Sequence, residues 1–240
     1  MASVPPPNAA QPTHRIEGAC GGLSGHVAPL AGREPASIAD ILLTNQASAV
    51  AAVSSVVRLL DEIPAAMISL PMNEFVAPLI EWARAEEIAQ EHGILIPDRH
   101  LLVPTHQGCL HGDLHPGNVL MDSERPVFID FDRQRSGSLI MDYLSLALGA
   151  VFNKAGPLSA NPPTLADVEQ VVSGPGDDST WYGACSASWD TREFGQRERW
   201  SALLAFALRQ LKYDDILEDS ARRSLAIQLA NRASAVLLES

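Results

Sequence analysis

The chain has 240 residues, with 17 Lys and Arg against 29 Asp and Glu and a formal net charge of −12, a balance that disfavours nucleic-acid and anionic-membrane partners. Cys20, Cys109 and Cys185 lie without any C-x-x-C spacing, which argues against a zinc site or disulfide framework and for a reducing cytoplasm. No apolar run reaches the roughly 18 residues that a bilayer-spanning helix needs, and the opening Met-Ala-Ser-Val-Pro-Pro-Pro-Asn lacks the basic region and apolar core of a secretory signal.

In chain order, residues 1–35 are rich in Pro, Gly and Ala with little periodicity and read as a flexible or irregular lead-in. The remainder, 36–240, has the length for one domain with a substantial core. Over residues 37–60, Ile41, Val50, Val53, Val57 and Leu60 give helix spacing. A second helix is expected over 73–91, with Asn73 as cap and Gly93 as stop. Within 106–132, short strands at 118–121 and 126–130 flank a turn at Asp122-Ser123-Glu124-Arg125, which places Asn118 and Asp130 at the open end of one hairpin. Residues 139–152 are apolar nearly all round, as in a buried helix. An unpaired Asp142 there would cost several kcal/mol, roughly, so it must find donors or sit where a helix N-terminus favours a carboxylate. Residues 153–190 form a Pro-, Gly- and Ser-rich insertion with one short helical stretch around 165–172. Trp200, Leu203, Leu204, Ala207, Leu208 and Leu211 then mark an amphipathic helix, and Leu225, Leu229, Ala233, Val236 and Leu237 mark a last one, both stripes reading as core.

The chemistry concentrates in His111-Gly112-Asp113-Leu114-His115-Pro116-Gly117-Asn118, followed by Ile129-Asp130-Phe131. Phosphoryl transfer needs a carboxylate to orient or accept the proton of an acceptor hydroxyl, and oxygen ligands for a cation that offsets phosphate charge. Asp113 suits the first role; the Asn118 amide oxygen and the Asp130 carboxylate suit the second. An ordinary surface turn would explain Gly112, Pro116 and Gly117 but not the downstream Ile-Asp-Phe. A metallohydrolase would use the cluster His106, His111, Asp113 and His115, but such two-metal sites draw on several separated segments and no N-H-D or N-H-E follows.

The spacing H-x-D-x-x-x-x-N, then a hairpin, then I-D-F resembles the catalytic and metal-binding loops of protein-kinase-like enzymes. The H-G-D-L-H-P-G-N form is most similar to the aminoglycoside phosphotransferase and choline kinase branch, with residues 106–148 carrying the match. The resemblance implies an α+β fold: a mostly helical kinase-like C-terminal lobe with a short catalytic β-hairpin. It further implies Asp113 as catalytic base, Asn118 and Asp130 as ligands of Mg²⁺ and so of ATP or GTP, and His111 as a brace of the loop. It also implies that Asp142 accepts hydrogen bonds from the loop backbone. The pattern Ala207-Leu208-Arg209-Gln210-Leu211-Lys212-Tyr213 resembles a narrower branch, the ternary-complex-associated phosphotransferase-like domains of bacterial conflict systems. Among acceptors, the net charge suits a cationic one such as an aminoglycoside or choline.

Kinase-like enzymes also carry a β-rich upstream lobe, in which a Gly-rich loop covers the phosphates and a strand lysine grips them. Here the only lysines, Lys154 and Lys212, follow the motif. The cluster Gly18, Gly21, Gly22 and Gly25 lacks G-x-G-x-x-G spacing and has no evident strand on either side, so it reads as linker. The resemblance therefore covers the C-terminal lobe, and Arg33, Arg58 or a partner lobe or chain would have to replace the lysine. Two functions follow: a Mg²⁺-dependent phosphotransferase moving a nucleotide γ-phosphoryl group to a hydroxyl, or a truncated, pseudokinase-like binding module with little catalysis by this chain alone.

Overall fold

The computed structural model describes residues 14–16, 25–27 and 35–239, apart from 123, 132 and 175. Most of the lead-in, with Gly18, Gly21, Gly22 and Arg33, lies outside the described residues. Strands β1 (His14–Ile16) and β2 (Gly25–Val27) pair antiparallel with His14 opposite Val27, so the glycine cluster does have strands on both sides, and Gly25 belongs to one of them. The pairing corrects the linker reading of those flanks: three-residue strands are too short to announce themselves by periodicity.

After β3 (Ala36–Ser37), Ser37 and Asp40 form a capping box that starts α1 (Ile38–Thr44). The single helix expected over 37–60 is two, because Asn45 leaves the helical region and its side chain accepts from Ser48 N at 3.0 Å, starting α2 (Gln46–Asp61). Strand β4 (Ala66–Pro71) follows, then α3 (Met72–Val76) and α4 (Trp82–His92). The helix expected over 73–91 is likewise split: Pro78, with no N–H to donate, sits in the gap, and Pro71 rather than Asn73 holds the capping position. Gly93 does end α4, in the left-handed region at φ 67°.

Strand β5 (Leu102–Leu110) leads into the motif loop, and β6 (Val119–Asp122), β7 (Arg125–Phe128) and β8 (Arg135–Ser138) follow it. They form two antiparallel three-stranded sheets, ordered β3-β6-β7 and β4-β5-β8. In the first, Val119 faces Phe128 and Asp122 faces Arg125 across a two-residue turn. In the second, Ala66 pairs with Gln107 and Gln107 with Ser138. The second sheet has no clear sequence signature, because its buried residues Val103, Thr105, Cys109 and Leu110 do not alternate regularly along β5.

Helix α5 (Ile140–Phe152) is buried along its whole length. The insertion carries two helices, α6 (Leu165–Ser173) and α7 (Trp181–Ser186), and the second packs on α5, with Trp181 Nε1 donating to the Ala147 carbonyl at 2.9 Å. The chain ends in α8 (Gln196–Gln210), α9 (Asp214–Glu218) and α10 (Ser220–Glu239). α8 is wrapped by α10, α5 and β5, and is buried from Glu198 to Gln210 on every face. Its buried Glu198 is engaged inside the protein, accepting from His106 N and from the Ser138 hydroxyl at 2.7 and 2.6 Å. The architecture is α+β, a helical body bearing small antiparallel sheets, and among the described residues no helix is long and apolar enough to cross a membrane.

Candidate active site

The loop between β5 and β6 is held from three sides. Asp142, in the first turn of α5 and 2% exposed, accepts from His111 N at 2.7 Å and Gly112 N at 3.0 Å. Burial pushes its carboxyl above the ordinary carboxylate range, against the two amide donors that hold it down. His111 Nε2 donates to the Ile129 carbonyl at 2.8 Å, and its ring packs on Phe131 and Phe128, so the loop is tied to the end of β7. The Asp113 carbonyl accepts from His115 N at 3.0 Å and from Asn118 Nδ2 at 2.9 Å.

Two backbone features complete the loop. Gly112 sits at φ 82°, where an added Cβ would lie 2.2 Å from the Arg133 carbonyl oxygen. Only glycine fits there. Asp130 adopts φ 62°, a left-handed conformation that costs a non-glycine residue about 1–2 kcal/mol. Such strain is retained at functional sites more than elsewhere.

Asn118 and Asp130 lie at the open end of the β6–β7 hairpin, where Ile129 N donates to the Asn118 carbonyl at 3.0 Å. With its amide nitrogen committed to Asp113, Asn118 keeps its side-chain oxygen as the atom available to a further partner. Asp130 is exposed and has no hydrogen-bond or ion-pair partner among the described residues. An amide oxygen and a free carboxylate are a hard, oxygen-only donor set, suited to Mg²⁺ with water and phosphate oxygens completing the shell.

Asp113 faces a cleft of about 260 Å³ whose walls include His115, Lys154, Gln210 and Tyr213. Arg209, from α8, donates to Asp113 Oδ1 at 3.0 Å and through Nε to the Tyr213 hydroxyl at 3.2 Å, while Arg133 Nε stands 3.9 Å from Asp113 Oδ2. Burial works against the Arg209 charge, but Tyr213 and Asp113 outweigh it and raise its pKa. In the sequence Arg209 stands out only within the Ala207–Tyr213 pattern, beside the apolar stripe of α8, and nothing there marks it as a neighbour of Asp113. Arg58, weighed as a substitute for the strand lysine, bonds Ser55 on the exposed face of α2 and does not line the cleft.

Each of the clustered histidines has one ring nitrogen engaged: His106 Nδ1 bonds Glu198 at 2.8 Å, His111 Nε2 donates to the Ile129 carbonyl, and His115 Nδ1 accepts from Gly117 N at 3.1 Å, while the buried Nδ1 of His111 has no hydrogen-bond partner among the described residues. Upstream, Asp98-Arg99-His100 has D-x-H spacing but closes a local turn, with Asp98 accepting from His100 N at 2.7 Å. Among the described residues no group of three or more His, Cys, Asp and Glu side chains is placed to hold a metal ion. The metallohydrolase arrangement finds no support in this geometry.

Comparison with family models matches residues 17–161 to APH, described as a phosphotransferase enzyme family. The matched range takes in the loop, the hairpin, α5 and the helices ahead of them, and reaches well upstream of the 106–148 segment that carries the motif. Neither the curated proteins nor the solved structures give a match. With a family model matching more than half of its length, the chain belongs to the phosphotransferase enzyme family.

Proposed function

We propose that this chain transfers the γ-phosphoryl group of ATP or GTP to a hydroxyl of a small acceptor in a Mg²⁺-dependent reaction. The observation that carries the reading is the Asp113 carboxylate opening onto a cleft while Asn118 and Asp130, unpartnered among the described residues, stand at the adjacent hairpin end. Asp113 would orient the acceptor hydroxyl and take its proton as the new oxygen–phosphorus bond forms; the bond to the β-phosphate oxygen breaks, and the nucleoside diphosphate leaves with the electron pair. Arg209 fixes the rotamer of Asp113, and Asp142 and His111 fix the loop beneath it. Asn118 and Asp130 would hold Mg²⁺, which would supply charge neutralisation for the phosphates.

The test is Asp130→Ala. Thermal shifts with nucleotide and Mg²⁺ together are expected in wild type and lost in the variant; equal shifts in both would remove the metal assignment.

A second reading, a binding module with little catalysis, draws on one observation: no lysine precedes the motif. Isolated protein would then bind nucleotide in the high micromolar to millimolar range, on the order of 4 to 6 kcal/mol. Transfer would appear only after a lysine-bearing partner lobe or chain is added. Turnover by the purified chain alone decides for the first reading.

A further inference from the structure

The cleft beside Asp113 has a local charge opposite to that of the chain. Arg133, Lys154 and Arg209 line it together with two carboxylates, Asp113 and Asp215. Asp215 is answered from outside the cleft, where Arg222 donates to its Oδ2 at 3.3 Å. Asp113 already has Arg209 on one oxygen and Arg133 near the other. Lys154 is exposed, and no hydrogen bond or ion pair engages it among the described residues. The cleft thus has a surplus cation on a chain of net charge −12.

That surplus lies on the acceptor side. Lys154 lines the cleft with Asp113, and neither Asn118 nor Asp130, the proposed metal ligands, does. Gln210, Asn153 and Ser145 add neutral hydrogen-bonding groups suited to hydroxyls. At about 260 Å³ the space falls below the roughly 300–1,000 Å³ of drug-sized ligand sites.

We infer that the acceptor is a small hydroxylated anion, a hydroxy acid or a phosphorylated polyol, whose acidic group is recognised by Lys154 and Arg133 while its hydroxyl meets Asp113. The inference rests on the phosphotransferase reading and narrows its substrate class. It reverses the acceptor charge suggested by net composition: the overall field governs solubility and encounter, whereas recognition depends on groups within a few ångströms of the ligand.

Calorimetric titration of the full chain with glycerate, glycerol 3-phosphate, glycerol and choline tests it. At least one of the two anions is expected to bind, and the preferred arm separates carboxylate from phosphate recognition. Choline is expected not to bind. Lys154→Glu, at an exposed position, should weaken anion binding by about tenfold, and Arg133→Gln should weaken it to a lesser degree. Choline or glycerol binding as tightly as the anions overturns the inference, as does anion binding indifferent to Lys154→Glu. No anion binding at about 50 mM, well above ordinary small-ligand dissociation constants, also overturns it. A Lys154→Glu loss confined to ATP assigns the lysine to nucleotide and has the same effect. Lys154-dependent anion binding without transfer from Mg²⁺-nucleotide keeps the anion site but fails the phosphotransferase reading, and the acceptor assignment with it; transfer to choline keeps that reading and overturns the inference.

Discussion

Arg209 Nη2 donates to Asp113 Oδ1 across 3.0 Å, joining residues 96 positions apart in the chain. The arginine is nearly buried and the carboxylate about a third exposed, so one partner is rigid and the other faces solvent. Because Arg209 also reaches the Tyr213 hydroxyl, its planar fork sets the direction of the Asp113 side chain from a helix that cannot move independently. Arg209→Lys keeps the charge but cannot hold both partners at once. It is expected to cost about 1–2 kcal/mol in urea unfolding and to lower phosphoryl transfer beyond what the stability loss explains. Unchanged transfer in a folded Arg209→Lys protein would reduce Arg209 to a packing strut.

Chemistry and folding separate at the two aspartates of the loop. Asp113→Asn keeps volume and an acceptor for Arg209, so stability should change by less than about 1 kcal/mol while transfer falls by roughly 10²- to 10⁴-fold. Asp142→Ala leaves the His111 and Gly112 amides without their acceptor and should cost about 1–3 kcal/mol. Matched denaturant titrations and initial-rate assays would show whether the losses divide this way. Similar destabilisation by both substitutions would make Asp113 structural.

Gly112→Ala tests the backbone. The new methyl meets the Arg133 carbonyl at 2.2 Å in a left-handed conformation, and neither neighbour is a flexible side-chain end. A loss of about 2 kcal/mol or more in unfolding free energy is expected. Gly117→Ala is the control, since its nearest contact is His115 Cε1 at 3.0 Å and no left-handed φ is involved; its loss should be smaller.

His115 should leave a pH signature. Burial is the main cause holding its pKa below 6.5, partly opposed by Asp113, and its Nδ1 must stay unprotonated to accept from Gly117 N. The unfolded chain therefore takes up this proton first as pH falls. The stability His115 contributes is complete above 6.5 and is lost as pH drops from 6.5 to the lower folded value. His115→Gln should flatten that part of the profile. An NMR titration of the ring with a midpoint at or above 6.5 would contradict the assignment.

The hairpin was legible because its geometry is local. Asn118 and Asp130 are twelve positions apart, and strand propensity around a short turn suffices to bring their ends together; the pairing of Asp122 with Arg125 makes that turn two residues rather than the four expected. Asp142 was legible for a different reason: a carboxylate inside a uniformly apolar helix must have buried donors, and the loop amides are those donors. Helix boundaries were less readable, since Asn45 and Pro78 interrupt apolar patterns that continue on either side. The sheet of β4, β5 and β8 escaped notice because pairing Gln107 with both Ala66 and Ser138 is a long-range choice with little local periodicity.

The sequence by itself determined the family, because the groups of the motif, from His111 to Asp130, are close in the chain and their spacing follows from loop and hairpin geometry. Only the tertiary structure decided what surrounds that segment. Arg209 and Tyr213 reach the cleft from α8 and the turn that follows it, and Lys154 from just past the end of α5; nothing in their local sequence signals a destination 41 to 100 positions away, beside Asp113. The sign of the cleft follows the same rule. Net charge is a sum over the whole chain, whereas the field at a bound ligand is set by the few charges that folding brings within its screening distance.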